Sequence, residues 1–285
     1  MMRPALPLSV QLLLTFVGLL VGITIVLTTV AYTSLLHNLD ADARRTVSTA
    51  TRTREQSLTQ LFQLRQQRAE AFLVSLESLC TEAPDSSRLA WVGDCVRPMV
   101  DDFRKGEGAL SALLTYRTRV LRRSGVRLAP VAPLPGALAR ATRTVDGAPR
   151  YAMQARREDL TLMLTFDHAP VERILEAPSG LPPGSDLSLI DYDGAVLATT
   201  SSNAPIVSGA AAAALIENCR SGAEALVDVD GGGRRALQSF RPIAGLGSAC
   251  IAARVDYDQT LAPAEQLRRQ LFISGAWFVL GGVVL

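Results

Sequence analysis

Arginine and tyrosine side chains on two short segments are the residues of this chain best suited to binding chemistry. The segment LLTYRTR carries Tyr116, Arg117 and Arg119, and the segment PRYAMQARR carries Tyr151 and Arg156. A guanidinium binds carboxylate or phosphate through paired N–H donors, and a tyrosine ring provides an amphipathic wall. Alternation along one strand would point Arg117 and Arg119 one way and Tyr116 the other. These five residues are candidates for a ligand site, and arginines on a solvated sheet face are the competing interpretation.

Catalysis is not expected from this sequence. Nucleophile–base chemistry most often uses a histidine, and the chain has only His37 and His168. The sequence contains no G-x-S-x-G, no H-E-x-x-H and no phosphate-binding loop. Carboxylate pairs such as Asp228 and Asp230 lie next to predicted turns, where solvation explains them. We therefore expect no catalytic residue, no metal site and no cofactor, and an anchored hydrolase is the enzyme alternative.

The charge balance argues against nucleic acid as a partner. The 285 residues carry 29 Lys+Arg and 27 Asp+Glu, for a formal charge of +2. A polyanion-binding domain would have a clear basic excess or a basic stripe.

The two ends of the chain are apolar. Leu8–Tyr32 carries no charge, and its roughly 25 residues are enough to cross a bilayer. Because the run is longer than the apolar part of a secretion signal and no Ala-x-Ala follows, we interpret it as an anchor, with a cleaved signal as the alternative. Leu271–Leu285 is apolar apart from Ser274 but is shorter than the roughly 20 residues of a span. We expect a second span that is cut short at the end of the sequence.

Four cysteines place the middle region outside the cytoplasm. Cys80, Cys95, Cys219 and Cys250 form no C-x-x-C pair that would indicate zinc or a redox motif. Of the three possible connectivities, Cys80–Cys95 with Cys219–Cys250 keeps each bridge within one segment. Each such loop contributes about 3 kcal/mol in the chain-entropy model. Disulfides persist in the periplasm or outside the cell, and four buried free thiols are the alternative.

The middle region reads as a long helix followed by two α+β modules. No proline or glycine interrupts residues 35–79, and apolar residues recur there at steps of three and four. The first module combines a helix near Trp91 to Phe103, the strand-like run ALSALLTYRTRVLRRSG, a hairpin turned at Asp146-Gly147, the strand DLTLMLTFD and a helix from Ala169. After PSGLPPGSD comes a similar order: a hairpin turned at Asp193-Gly194, a helix, three strands and an exit helix.

This order resembles the double Cache domains of bacterial transmembrane receptors. The resemblance rests on the span that continues into a long helix, on LIDYDGAVLATT, and on ACIAARVDYDQTLAPAEQLRRQ before the second apolar segment. It implies an α+β fold with a stalk helix and two PAS-like antiparallel-sheet modules, in a bacterial inner membrane, as a parallel homodimer through the stalk. The tyrosine, Arg-Trp and aspartate motif of the amino-acid-binding subgroup is missing, since Thr118 follows Tyr116-Arg117. An amino-acid ligand is therefore not expected.

The predicted organisation divides the chain into seven segments. They are a cytoplasmic N-terminus (1–7), a first transmembrane helix (8–33), a stalk helix (34–79), a membrane-distal module (80–177), a membrane-proximal module (178–257), an exit helix (258–270) and a second transmembrane helix (271–285).

The resemblance implies the ligand-sensing region of a signal-transduction receptor, whose output would be a histidine kinase or a related domain. Its expected partners are a small molecule or a periplasmic protein, membrane lipid and a second copy of the chain. The alternative is a membrane-anchored envelope scaffold that binds no small molecule and transmits nothing.

Overall fold

A computed structural model describes most of the chain. It covers residues 8–80, 95–117, 119–126, 138–143, 149–177, 180–182, 184–192, 195–200, 210–222, 224–228, 235–247 and 249–284. Trp91 and the predicted turns at Asp146-Gly147 and Asp193-Gly194 lie outside the described residues.

Helices flank two groups of five strands. In chain order the elements are α1 (Leu8–Cys80), α2 (Arg97–Gly106), β1 (Ser111–Tyr116), β2 (Arg119–Gly125), β3 (Ala139–Arg143), β4 (Pro149–Arg157), β5 (Leu160–Asp167), α3 (Ala169–Glu176), β6 (Asp186–Asp191), β7 (Val196–Thr199), α4 (Ala210–Ser221), β8 (Glu224–Asp228), β9 (Arg235–Pro242), β10 (Ala249–Asp256) and α5 (Tyr257–Val284).

The contacts divide the chain into two compact units, which we name separately. The helix pair consists of Met1–Thr46, Asp228–Ala236 and Asp256–Leu285, and the two-sheet body consists of Val47–Val227 and Leu237–Val255.

Helix α1 runs without a break for 73 residues. After Gly22 it contains no glycine and no proline, so nothing in the backbone disrupts its hydrogen-bond ladder. Within the two-sheet body, one stripe of the helix is buried at helical spacing, including Leu58, Phe62, Ala69, Leu73 and Leu76. This confirms the long helix that the sequence predicts after the first apolar segment.

The two sheets have the same strand permutation. The first sheet has the order β2-β1-β5-β4-β3, and the second has the order β7-β6-β10-β9-β8. The pairings β1–β2, β1–β5, β3–β4, β4–β5, β6–β7 and β6–β10 are all antiparallel. The expected α+β fold with a long helix and two antiparallel-sheet modules is therefore confirmed.

One strand prediction is wrong in detail. The run ALSALLTYRTRVLRRSG forms two strands, because Arg117 adopts a left-handed φ of 53° and the chain reverses there. Tyr116 is then paired directly with Arg119 across the hairpin. Paired residues on neighbouring antiparallel strands point to the same side of a sheet. Tyr116 and Arg119 therefore share a face, whereas the sequence predicted opposite faces.

The buried stripe of α1 contacts both sheets. Phe62 packs edge-on against Tyr151 of β4, with 5.7 Å between the ring centroids. Phe62 also leaves little space for a side chain at Gly245, which follows β9. A Cβ built on that glycine would lie 3.2 Å from the Phe62 ring. Lower on the helix, the Thr51 and Ser239 hydroxyl oxygens lie 3.4 Å apart. The Ala139 N–H donates to the Gly245 carbonyl at 2.7 Å and joins the edge of the first sheet to the second module.

A disulfide fixes helix α4 to the second sheet. Cys219 of α4 is bonded to Cys250 of β10, with 5.7 Å between their Cα atoms. Both cysteines are fully buried in a cluster with Ile190, Phe240 and Ala252. Cys95 is disulfide-bonded as well, and the side chain of Cys80 lies outside the described residues.

Within the described residues, one helix is long and apolar enough to cross a membrane, and it is α1. Many of its described apolar side chains are exposed, among them Leu12, Phe16, Leu19, Leu27 and Val30. Phe272, Ile273 and Trp277 of α5 are exposed too, at 78%, 52% and 71%. In water these side chains would form an apolar surface much larger than a soluble monomer exposes.

We predict that Phe62→Ala destabilises the two-sheet body by about 3–5 kcal/mol, because a fully buried ring is replaced by a cavity. Leu79→Ala is the matched control on the same helix, since Leu79 is 68% exposed, and we expect a change within about 0.5 kcal/mol. Denaturant unfolding of the detergent-solubilised chain measures both. Equal effects of the two substitutions would contradict the packing described for Phe62.

Candidate functional site

The first sheet has two chemically different faces. The covered face is apolar, and its buried residues are Ala112, Leu114, Tyr151, Met153, Ala155, Leu162, Leu164 and Phe166. It packs against α1, where Arg65 stacks 3.9 Å above the centroid of the Phe166 ring in addition to the Phe62–Tyr151 contact.

The opposite face, which we call the polar face, carries hydroxyl, amide and guanidinium groups. Strand register places on it the polar residues Ser111, Thr115, Gln154, Thr161 and Thr165 and the apolar residues Leu113, Ala152 and Met163. Thr165 and Ala152 are buried, and the other six are half-buried. Such a floor of mixed polar and apolar groups offers hydrogen bonds and apolar contact to a small ligand.

Four arginines surround this floor. Arg123, Arg140, Arg150 and Arg156 lie on the polar face, and Asp167 is the acidic residue that register adds to it. Arg123 and Arg156 are exposed and form no ion pair or hydrogen bond within the described residues. The excess of guanidinium groups gives this face a positive potential that attracts anions.

Asp167 is already engaged by its neighbours. Its carboxylate accepts hydrogen bonds from Arg150 at 2.5 Å and from the His168 backbone N–H at 2.7 Å. Burial opposes ionisation, but the His168 N–H and the Arg150 charge outweigh it and hold the pKa of Asp167 below its usual value. The Nε of Arg150 is buried without a partner in the described part of the chain.

The five predicted site residues do not converge. Arg156 lies on the polar face of β4, whereas Tyr151 is 1% exposed on the covered face. The Tyr151 hydroxyl donates to the His168 carbonyl at 2.8 Å, and burial raises the pKa of this tyrosine. Tyr151 therefore belongs to the packing between α1 and the sheet.

Tyr116, Arg117 and Arg119 lie at the β1–β2 hairpin. Tyr116 and Arg119 point to the side of the covered face, and the exposed Arg117 pairs with Asp159 at 3.0 Å. The threonines of the polar face were missed in the sequence, although alternation in DLTLMLTFD already set Thr161, Met163 and Thr165 on one side.

Within the described residues no group of histidine, cysteine and carboxylate side chains is arranged to hold a metal ion.

The fold is shared with extracellular sensory domains of known structure. One is the extracellular domain of the candidate histidine kinase mmHK1S-Z3, with a TM-score of 0.53 and 10% identity over 79% of this chain and 97% of that one. Another is the ligand-binding domain of the Pseudomonas fluorescens chemoreceptor CtaA in complex with L-isoleucine, with a TM-score of 0.50 and 14% identity over 81% and 97%. The ligand-binding domain of the Campylobacter jejuni chemoreceptor Tlp3 in complex with L-valine also has a TM-score of 0.50 and 14% identity, over 82% and 97%.

At these identities the similarity concerns the fold. A scan of protein-family models finds no match to the sequence, and a search of curated proteins finds none either. The chain therefore shares the fold of these domains, which agrees with the two antiparallel-sheet modules that its resemblance to double Cache domains predicts.

We predict that Tyr151→Phe lowers the free energy of unfolding by about 0.5–1.5 kcal/mol, because the buried His168 carbonyl loses its donor. Tyr116→Phe is the control, since the half-buried Tyr116 hydroxyl has no hydrogen bond within the described residues. Denaturant unfolding compares the two substitutions, and an effect of Tyr116→Phe as large as that of Tyr151→Phe would contradict the structural role of Tyr151.

Proposed function

We propose that this chain is the extracytoplasmic ligand-sensing region of a receptor in the inner membrane of a bacterium, and that it is not an enzyme. The observation that carries the proposal is the combination of a sensory-domain fold with an apolar helical segment at each end. A ligand-induced change would leave through α5, toward a cytoplasmic output such as a histidine kinase.

Chain continuity supports this direction of transmission. Strand β10 is central in the second sheet, and it ends at Asp256, directly before α5 begins at Tyr257. The Asp256 carboxylate accepts a hydrogen bond from the Gln259 N–H at 3.0 Å and caps the new helix. A displacement of β10 would therefore pass into α5 without an intervening flexible loop.

The proposed ligand is a small anion on the polar face of the first sheet. Arg156 and Arg123 have no ion pair or hydrogen bond within the described residues, and Thr161, Thr165 and Gln154 contribute hydroxyl and amide groups to the same face. Strand register also places Asp167 on this face, and its carboxylate already pairs with Arg150. An ammonium group would thus find no free acidic partner among these residues, which favours a carboxylate or phosphate over a zwitterion.

We predict that acetate, succinate, citrate or inorganic phosphate raises the melting temperature of the full chain in detergent. Arg156→Gln should weaken the binding of the effective anion by roughly tenfold or more, because a charged hydrogen bond is lost. Arg117→Gln is the matched control at the hairpin tip, where the arginine already pairs with Asp159, and we expect no change in affinity.

The same measurement separates the sensor from its alternative. If neither these anions nor a panel of amino acids changes the melting temperature, a scaffold without a small-molecule ligand explains the chain better. Binding of amino acids alone would keep the sensor but contradict the anionic ligand.

We also propose that two copies associate in parallel through α1. Its outward side has an uncharged seam at steps of four and three: Thr53, Ser57, Gln60, Leu64, Gln67, Ala71, Val74 and Ser78. Leu64 and Val74 are exposed at 48% and 42%. This spacing is the repeat of a coiled coil, and a seam without charges creates no repulsion between identical copies.

We predict that Leu64→Cys forms an intermolecular disulfide under mild oxidation in the membrane. Glu70→Cys is the control, because Glu70 is exposed about a quarter turn from the seam. Among the cysteines that the structure describes, none is free to compete. Dimer formation on non-reducing gels measures the reaction, and equal cross-linking at both positions would contradict the seam.

A further inference from the structure

Two sets of polar contacts join α1 to α5 within the helix pair. They involve residues far apart in sequence, and none of them belongs to the first sheet. We call the two sets the upper rung, between Asp40 and Tyr257, and the lower rung, between Tyr32 and Glu265.

The upper rung is a short hydrogen bond. The Tyr257 hydroxyl donates to the Asp40 carboxylate at 2.7 Å, and Arg44 donates to the same carboxylate at 3.0 Å. The Arg44 hydrogen bond is the main cause that holds the pKa of Asp40 below its usual value. Asp40 is therefore ionised at neutral pH, and a charged acceptor makes this hydrogen bond stronger than one between neutral groups.

Arg235, the first residue of β9, contacts both Asp258 and the ring of Tyr257. Its backbone N–H donates to Asp258 at 3.0 Å, and its guanidinium donates to that carboxylate at 3.0 and 3.2 Å. The guanidinium also lies 5.0 Å from the centroid of the Tyr257 ring. Arg235 thus fixes the first turn of α5 and packs against the ring whose hydroxyl reaches Asp40.

The lower rung lies next to the apolar segments. The Tyr32 hydroxyl and the Glu265 carboxylate are 3.3 Å apart, and the Arg268 guanidinium lies 5.9 Å from the Tyr32 ring centroid. Arg268 also pairs with Glu265 at 2.8 Å.

The two rungs have the same register. Going from the upper to the lower rung, α1 steps back eight residues (40 − 32) and α5 advances eight residues (265 − 257). The helices are therefore antiparallel here, with rungs about 12 Å apart along the axes. Ala264, between the rungs, is fully buried. A slide of α5 by one residue, about 1.5 Å, would misalign both rungs together.

A proline lies between the rungs. Pro263 is inside α5 and has no N–H to donate to the carbonyl one turn earlier, so the helix is intrinsically weaker at this point. The rungs bracket this weak point and hold α5 on both sides of it.

We propose that the upper rung sets the register between α1 and α5, and that Arg235 is its positioning residue. The proposal rests on the proposed transmission through α5 and adds the contact that must change when α5 moves. Opening the Asp40–Tyr257 hydrogen bond releases the first turn of α5, and the helix then shifts relative to α1.

The test uses the full chain in membranes with a cysteine pair at Leu36 and Leu261, two half-buried positions of the same register (36 + 261 = 40 + 257). Oxidative cross-linking of this pair reports how often the register is kept. Tyr257→Phe keeps the ring but removes the donor, and it should slow cross-linking roughly two- to tenfold. Tyr116→Phe, in β1, should leave the rate unchanged.

Arg235 is tested by exchange of charges. Arg235→Asp should slow cross-linking, and the double variant with Asp258→Arg should restore it, because the pair is re-formed with reversed polarity. The melting temperature of the two-sheet body should stay the same in all variants. If these residues only stabilised the fold, the melting temperature would fall together with the cross-linking rate.

An unchanged cross-linking rate in Tyr257→Phe, or no rescue by the double variant, would overturn the proposal. That outcome leaves the sensor intact if an anion still raises the melting temperature, so the two failures are distinguishable.

Discussion

Both sheets depend on one buried stripe of α1. A five-stranded sheet with one polar face must bury its apolar face against another element, and here a single helix serves both modules. Phe62 contacts Tyr151 of the first sheet and closely approaches Gly245 of the second module, while Thr51 reaches Ser239. Because packed interiors contain few voids, a change of side-chain volume in this stripe would affect the packing of both sheets. The buried stripe of α1 is therefore the packing element that both sheets share.

A second constraint is that α5 begins directly after β10, with no loop between them. The disulfide between Cys219 and Cys250 holds this central strand to α4 just six residues before its end (256 − 250). A coupling free energy of about 1–3 kcal/mol between ligand and output is typical of allosteric proteins. The contacts that such a coupling would have to rearrange are the hydrogen bonds at the start of α5.

Local sequence rules predicted most elements but not the side-chain partners. The absence of proline and glycine predicted α1, alternation predicted β5, and the Asp146-Gly147 turn signal predicted the hairpin of β3 and β4. The split between β1 and β2 was missed because the turn uses Arg117, which has no glycine or asparagine signal for a left-handed φ. Tyr151 lies on the face that α1 covers, and alternation alone does not indicate which face of a strand a helix will cover. The Asp40–Tyr257 contact spans 217 residues and has no local signal at all.

The central claim is that the two-sheet body lies outside the cytoplasm between two membrane-anchored ends. Arg119→Cys introduces a thiol at an exposed position of the first sheet, and the unsubstituted chain serves as the control for labelling of its own cysteines. In intact spheroplasts a membrane-impermeant maleimide should label this thiol fully, and permeabilising the membrane should add nothing. Labelling that appears only after the membrane is permeabilised would contradict the account.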